Sequence, residues 1–346
     1  MLEIDGAQRS GSGTIIRYAV ALATLLGEEL HIWNIRAKRD KPGLRPQHLQ
    51  AIKACQEICR GEVEGAKVGS NEIIYRPGRR ILGGTYEWDI GTAGSTTMLL
   101  LTILPLACFA DSLLTCRVSG GLFQDFAPSA YHTKYVLLPI LARMGINAEV
   151  EIKRPGYVPE GAGILSIEVE PIKDKIKPIK LKNRGKVIRI KGVALSSHLK
   201  EGRVSERMAR SCEGPLRAKG YKVEIKTEYD STAIQKGAAL GIWAETTSGC
   251  LLGSDMAGRP GRSSERIGKQ VAEGLLQTLQ TEATVDRYLA DQLILYCALA
   301  DGMSEYLIPE VTEHVDTNLW LVQEILGAKV ELEGNRVRIY GVGFHY

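Results

Sequence analysis

The order of strand and helix patterns repeats along the chain, and this repetition limits the possible folds more than any other feature. Up to about residue 78, alternating and helical apolar periods predict strand, helix, strand, helix, strand, strand. The same order recurs over residues 86–169. A repeat of about 80 residues is longer than the roughly 20–50 residues of a solenoid unit. Each unit is instead expected to pack two helices on one face of its own sheet.

A third copy of this order is predicted over residues 288–340, but its first strand is missing there. Residues 179–181 best supply that strand, which makes the intervening chain an insertion. We therefore predict an α+β fold with a core of three repeated β-α-β-α-β-β split α/β units, residues 1–184 and 279–346. A small inserted α/β domain is predicted over residues 185–278. Its predicted elements are strands 187–195, 222–227 and 238–245 and helices 204–218 and 265–279.

Charge and hydropathy exclude several classes of protein. The chain has 44 Lys and Arg residues against 40 Asp and Glu residues, so a basic partner surface must come from local clustering. The most apolar run, residues 98–110, is shorter than the ~20 residues that span a bilayer, and no membrane partner is expected. The chain begins without a basic and then apolar leader, and its seven cysteines are scattered. These features favour reduced thiols and a cytoplasmic location.

Familiar nucleotide and metal motifs are missing from the sequence. It has no G-x-x-x-x-G-K-[ST], no G-x-G-x-x-G and no H-E-x-x-H, which disfavours P-loop enzymes, dinucleotide oxidoreductases and zincins. Cys55 and Cys59 lie four residues apart, but no second pair has ligand spacing. The residues alone therefore assign no metal ligand.

Two loops have the composition of phosphate sites. The Gly- and Ser-rich turn over residues 10–13 joins a predicted strand to a predicted helix, where free amides could hold an anion, and Arg17 adds charge. A tight turn without a ligand would need the same glycines. Residues 36–45 hold five cations on a loop stiffened by proline and glycine. This pattern favours a phosphate clamp with Arg36 and Arg39 in bidentate contacts, although a solvated surface loop is the alternative.

His314 has the most informative setting of the six histidines. It lies between a predicted strand, residues 306–311, and a predicted helix, residues 318–326, with Thr317 or Asn318 as the helix cap.

At such a position a neutral imidazole nitrogen can attack a phosphorus atom, while the helix N-terminus stabilises charge on the phosphoryl oxygens. Glu313 or Asp316 could fix the tautomer of His314. From its context alone, a structural histidine is the favoured interpretation.

A carboxylate and an amide follow one another in the first turn of another predicted helix. They are Asp291 and Gln292, within Tyr288-Leu289-Ala290-Asp291-Gln292. They could hydrogen-bond a sugar or a base, and helix capping is the competing explanation.

Taken together, these motifs resemble the RNA 3′-terminal phosphate cyclases across almost the whole chain and in the same order. The segments that carry the resemblance are residues 5–8, 35–44, 47–49, 288–292 and 314–318. The resemblance implies ATP-dependent conversion of an RNA 3′-terminal phosphate to a 2′,3′-cyclic phosphodiester, with release of AMP and diphosphate. It implies a covalent histidine-AMP at His314, then an RNA-adenylate, and use of a divalent metal, Mg²⁺ or Mn²⁺. It also implies repeated units similar to the C-terminal domain of translation initiation factor 3.

The resemblance further assigns residues to the nucleotide and to phosphates. Those implied for nucleotide binding are Tyr288, Leu289, Ala290, Asp291, Gln292, Arg17, Arg36, Arg39 and Gln47. Two positions depart from the family pattern. Ser10 stands where the family has a metal-binding glutamate, and Leu101 where it has a nucleotide-contacting glutamine. Serine is a poor substitute for a carboxylate ligand of Mg²⁺ or Mn²⁺.

These departures leave a second hypothesis open: a catalytically weak or inactive cyclase-like protein that binds RNA or serves ribosome assembly. Such relatives lack the nucleophilic histidine, so the presence of His314 favours catalysis. A metabolic transferase built from similar units is a third hypothesis, and the nucleotide and histidine motifs argue against it, because fold alone does not decide function.

Overall fold

The computed structural model describes all 346 residues and contains four separate four-stranded sheets with helices packed against them. The predicted α+β class is confirmed. No helix in the structure has both the length and the apolar character that crossing a bilayer requires. All seven cysteines are free and buried.

The N-terminal part of the chain forms the first sheet and two helices, and these elements follow the predicted order. Its elements are β1 (Leu2–Asp5), α1 (Gly13–Leu26), β2 (Leu30–Trp33), α2 (Pro46–Cys59), β3 (Glu62–Glu64) and β4 (Ile73–Arg76). Helix α1 begins where the Ser12 hydroxyl caps it and ends at Gly27, whose φ of 64° suits glycine. All twelve side chains from Thr14 to Leu25 are buried. Helix α1 therefore lies at the centre of the molecule.

The next part of the chain forms the second sheet and then one short strand of the third sheet. The elements are β5 (Gly84–Asp89), α3 (Thr96–Ala107), β6 (Leu114–Gly120), α4 (Ala130–His132), α5 (Leu138–Arg143), β7 (Ala148–Arg154), β8 (Gly163–Val169) and β9 (Lys180–Leu181). A short π-helix over Thr133–Leu137 joins α4 to α5. The apolar run that is too short for a membrane forms α3, and its side chains are buried almost throughout.

The fourth sheet comes next in the chain and has a strand that the sequence analysis missed. The elements are β10 (Val187–Ser197), α6 (Val204–Ala218), β11 (Val223–Asp230), β12 (Gly237–Thr246), β13 (Leu251–Ala257) and α7 (Ser264–Gln280). Strand β13 lies at the edge of this sheet, antiparallel to β12. Helices α6 and α7 pack against each other.

The chain then completes the third sheet. The elements are α8 (Arg287–Leu299), β14 (Asp301–Leu307), α9 (Glu313–Leu326), β15 (Lys329–Glu333) and β16 (Arg336–Val342). Strand β9 pairs parallel to β14, as predicted for residues 179–181. Strand β14 begins at Asp301, so the strand predicted over residues 306–311 was placed too late.

Three sheets share one strand order, and the fourth differs. The orders are β1-β2-β4-β3, β5-β6-β8-β7 and β9-β14-β16-β15, against β11-β10-β12-β13 in the fourth sheet. In each of the three, the first two strands run parallel and the others antiparallel. Helix α1 packs against α2, α3 and α9, and α8 packs against α9 and α3. These contacts bring the first turns of four helices to one place.

Candidate active site

A cavity of about 160 Å³ lies where the N-terminal turns of α1, α3, α8 and α9 meet. Its lining includes Thr14 and Arg17 from α1, Leu101 from α3, and His314 from α9. Unpaired backbone N–H groups and the helix dipoles make such a meeting of helix N-termini favourable for anions. The cavity therefore has the electrostatic character of a phosphate site.

His314 is the second residue of α9, a position that the sequence analysis did not expect to be helical. The helix is capped by Thr312, whose hydroxyl accepts a hydrogen bond from the Val315 N–H at 3.2 Å. The predicted caps, Thr317 and Asn318, are wrong, because both lie inside the helix and are buried. The Thr312 hydroxyl caps a free backbone N–H group of the first helical turn, ahead of Thr317 and Asn318 in the chain. Helix α9 therefore begins about one turn earlier than predicted.

The His314 ring is oriented by Thr14, from the opposite end of the chain. Its Nδ1 lies 3.2 Å from the Thr14 hydroxyl oxygen, and that oxygen also accepts a hydrogen bond from Arg17 at 3.3 Å. When Nδ1 carries the proton and donates it to Thr14, the lone pair of Nε2 is free. The predicted orienting residues differ: Asp316 pairs with Arg9 at 3.4 Å, and Glu313 makes no hydrogen bond to the ring.

The protein around His314 keeps its imidazole neutral. Desolvation of the ring, together with the cations of Arg17 and Arg39, lowers the pKa of His314 below its usual value of 6.5. A neutral imidazole near pH 7 retains the lone pair that nucleophilic attack requires.

Arg17 is a buried cation without an acidic hydrogen-bond partner. Its side chain is 3% exposed, and it donates to the Met98 carbonyl at 3.2 Å and to the Thr14 hydroxyl at 3.3 Å. Its Nε has no hydrogen-bond partner. A buried N–H group without a partner at a cavity indicates a ligand that would accept a hydrogen bond from it.

Helix α8 presents a polar face to the same cavity. Desolvation raises the pKa of Asp291 to about 7, although the nearby Arg17 cation opposes this shift. Gln292 is 3% exposed, and its side-chain oxygen has no partner. Asn318 donates to the Asp291 carbonyl at 3.1 Å and so joins α9 to α8. This face can bind the hydroxyl and amide groups of a nucleoside.

The cavity brings together five of the ten residues assigned from the resemblance, and two other assigned residues, Leu289 and Ala290, lie outside it. Those in its lining are His314, Arg17, Tyr288, Asp291 and Gln292. Leu289 and Ala290 do not line it, because the helical period turns them into the core, where both are fully buried. Helix capping is the role of Asp286, which accepts from the N–H groups of Tyr288 and Leu289 at 2.8 and 2.9 Å.

Three further assigned residues lie outside the cavity lining. Arg36 donates to the carbonyls of Lys41 and Gly43 at 2.6 and 2.8 Å, which folds its loop onto itself. The Gln47 side-chain oxygen accepts from the Ser95 N–H at 3.0 Å. Arg39 is exposed, and its positive charge contributes to the lowered pKa of His314 after desolvation and Arg17.

The two positions that depart from the family pattern have different environments. Leu101 lines the cavity with an apolar side chain that is 4% exposed. Ser10 does not line it: its hydroxyl is hydrogen-bonded to Ser12 and Thr317, at 2.9 Å each. No cluster of three His, Cys, Asp or Glu residues with metal-binding geometry is present. Asp291 is the carboxylate that lines the cavity.

The sequence analysis did not assign Thr14, Arg287 or Phe126, which also line the cavity. Thr14 follows the glycine-rich turn, and that turn was the available signal for it. The other two reach the cavity through tertiary structure.

Comparisons with known proteins identify the family to which the chain belongs. A sequence profile of a family described as RNA 3′-terminal phosphate cyclase matches residues 8–332. Curated proteins of that name include one from Archaeoglobus fulgidus, 38% identical over 339 residues that cover 98% of this chain and 100% of the relative. One from Methanopyrus kandleri is 37% identical over 339 residues, 96% of each chain. Another, from Pyrococcus furiosus, is 36% identical over 335 residues, again 96% of each chain. The family profile matches most of the chain, and these relatives are at least 36% identical over at least 96% of it. The chain therefore belongs to the RNA 3′-terminal phosphate cyclase family of enzymes.

Proposed function

We propose that the protein uses ATP to convert the 3′-terminal phosphate of an RNA into a 2′,3′-cyclic phosphodiester. The observation that carries this proposal is His314, held neutral beside the buried cation Arg17 at a meeting of helix N-termini. A neutral nucleophile beside an anion site is what nucleotidyl transfer from ATP requires.

In the first step, Nε2 of His314 attacks the α-phosphorus of ATP, and the bond to the β-phosphate oxygen breaks, releasing diphosphate. The ring becomes cationic while Thr14 accepts its Nδ1 proton in a hydrogen bond. Arg17 lies where it can neutralise charge that develops on the phosphoryl oxygens.

In the second step, an oxygen of the RNA 3′-phosphate attacks the histidine-bound phosphorus, which frees His314 and forms an RNA-adenylate. In the third step, the neighbouring 2′-hydroxyl attacks the RNA phosphorus, loses its proton, and displaces AMP. Adenylation thus converts a poor leaving group into a good one.

We propose that Mg²⁺ or Mn²⁺ enters this site together with the ATP phosphates, with Asp291 as the protein ligand. Mg²⁺ is commonly held by one or two carboxylates plus substrate phosphates, and Asp291 supplies one carboxylate at the cavity. The ion would neutralise phosphate charge when bound.

The experiment is to incubate the protein with ATP labelled at the α-phosphate and Mg²⁺, Mn²⁺ or Co²⁺, then measure acid-labile, alkali-stable label on the protein. Wild type is expected to be labelled, and His314→Ala is expected to lose the label. His31→Ala is the matched control, because His31 pairs with Glu3 and Glu72 away from the cavity.

A protein that only binds RNA is the second candidate function, favoured by Leu101 in the cavity and by the enclosed Ser10. Wild type that binds 3′-phosphorylated RNA but stays unlabelled with every metal at saturating ATP would select this candidate.

The organisation of the chain is proposed on the same footing. The shared strand order of three sheets supports three copies of one unit, similar to the C-terminal domain of translation initiation factor 3. The different order in the fourth sheet supports an inserted domain over residues 185–278, between core segments 1–184 and 279–346. The free buried thiols support a cytoplasmic location.

A further inference from the structure

Phe126 is an exposed aromatic residue at the mouth of the cavity. Its side chain is 98% exposed, whereas Phe109 and Phe123 are buried. Its φ of 66° is a conformation that bulky side chains rarely adopt. A strained, fully exposed aromatic side chain beside a nucleotide cavity indicates a functional role, because neither packing nor local backbone preference accounts for it.

The loop that carries Phe126 is tethered to the chain segment of the fourth sheet. Arg262 donates two hydrogen bonds to the Asp125 carboxylate, at 2.8 and 2.9 Å, and its side chain is 9% exposed. This bidentate pair has fixed geometry and lowers the pKa of Asp125. The next residue along the chain therefore presents its ring from an anchored position.

A groove of about 450 Å³ adjoins this tether, because Arg262 also lines the groove. It runs between residues 157–159 and the segment that contains β12 and α7. Its lining contains three cations, Lys236, Arg259 and Arg262, and no aspartate or glutamate. Arg259 contacts Asp125 only at 3.5 Å and is 62% exposed, so its charge is available to a ligand. A cationic groove next to an exposed aromatic ring is the combination that binds single-stranded nucleic acid.

We propose that Phe126 stacks on the base of the 3′-terminal RNA nucleotide, and that the preceding phosphates of the strand follow the groove past Arg259 and Lys236. This inference rests on the proposed function, because it supplies the RNA path to the same cavity. Stacking on one ring and contacts to phosphates carry no base identity, so the binding is expected to tolerate any terminal base.

The first test measures binding of 3′-phosphorylated RNAs of two and ten nucleotides by fluorescence anisotropy. Phe126→Ala is expected to weaken binding of both RNAs by about 5- to 150-fold, the range that corresponds to loss of one stacked base. Phe126→Trp retains an aromatic face and is expected to bind near the wild-type affinity. Circular dichroism confirms that the variants are folded.

The second test separates the groove from the ring. The double variant Lys236→Ala, Arg259→Ala is expected to weaken binding of the ten-nucleotide RNA more than that of the two-nucleotide RNA. It should also reduce the slope of log affinity against log salt by about 1.4, since each phosphate contact on a single strand contributes about 0.7. Arg210→Ala, Lys219→Ala is the matched control, with the same loss of charge at an exposed position of α6 and at the exposed residue that follows it.

The same variants are labelled with α-phosphate-labelled ATP without RNA. A larger loss of affinity for RNA than for ATP in Phe126→Ala supports the proposal. A larger loss of affinity for ATP would assign the Phe126 ring to the adenine and overturn the proposal. Unchanged affinity for RNA would also overturn the proposal. If wild type takes up no label while Phe126→Ala still loses RNA binding, the proposed catalysis fails and this RNA site stands.

Discussion

Replacing Thr14 by valine removes one hydroxyl from the site and almost nothing else. Threonine and valine have the same branched shape, and Thr14 is 4% exposed, so valine fills the same space. The cap of α1 is the Ser12 side chain, which accepts from the backbone N–H of residue 14 and is unaffected. The substitution therefore tests the hydrogen bonds of the hydroxyl, to His314 at 3.2 Å and from Arg17 at 3.3 Å.

The magnitude follows from the charge that His314 would acquire in the proposed attack on ATP. A hydrogen bond to a charged group contributes about 1.5–3 kcal/mol. The distance of 3.2 Å is long, and His314 is exposed at the cavity, so the low end of that range applies. Loss of about 1.5 kcal/mol in the transition state corresponds to an approximately tenfold slower reaction.

The assay is single-turnover transfer of label from ATP to the protein, with the rate constant measured at saturating ATP. Thr14→Val is expected to be about tenfold slower than wild type, and Thr14→Ser, which keeps the hydroxyl, to be within a few-fold of it. Thr24→Val is the matched control: Thr24 is buried in the same helix, and its hydroxyl bonds Tyr75 and Val20. Labelling by Thr14→Val at the wild-type rate, or equal slowing by serine and valine, would refute the role of the hydroxyl.

Three further predictions follow from the same region. Gly13→Ala should lower the free energy of unfolding by about 1–3 kcal/mol in a urea titration, because its Cβ would lie 2.1 Å from Nε2 of the buried His48. Gly202→Ala, with its nearest neighbour at 3.6 Å, should cause no loss. The labelling rate should be constant above pH 7 and fall only under acidic conditions, because the pKa of His314 is lowered and its neutral ring is the proposed nucleophile. A labelling rate that rises with pH and has an apparent pKa above 7 would contradict this prediction. Ser10→Glu should lower the free energy of unfolding by about 1–3 kcal/mol and leave labelling unstimulated, because residue 10 is 8% exposed and does not line the cavity. Strong stimulation of labelling by Mg²⁺ in this variant would contradict the prediction.

Local sequence patterns predicted much of the fold where periodicity was strong. Helix α6 spans the predicted residues 204–218, and β1 the predicted residues 2–5. Strand β13 was missed because Gly253, Ser254 and Asp255 interrupt its apolar pattern. Asp255 is tolerated there because its carboxylate accepts from the Ser129 N–H at 3.0 Å, a contact between residues 126 positions apart. Such compensation is invisible in a local pattern.

The candidate site was predictable to the extent that its residues carry their chemistry in short segments. His314, Asp291 and Arg17 stand in recognisable contexts, and the structure places all three at one cavity. Thr14 was not assigned, because its role depends on a contact across 300 positions. Phe126 lies in an irregular loop, where no periodicity indicates which way a ring points.

The charges of the cavity explain why one buried arginine can serve both nucleophile and substrate. Arg17 lowers the pKa of His314, which keeps the nucleophile neutral, and it opposes the rise in the pKa of Asp291. Its own acceptors are a carbonyl and a hydroxyl, so its positive charge is not neutralised by a hydrogen-bonded carboxylate. Burying a cation in this way is costly to the folded protein. In the proposed reaction an incoming polyphosphate would offset that cost by pairing with the cation, and this would favour binding of ATP where His314 can attack.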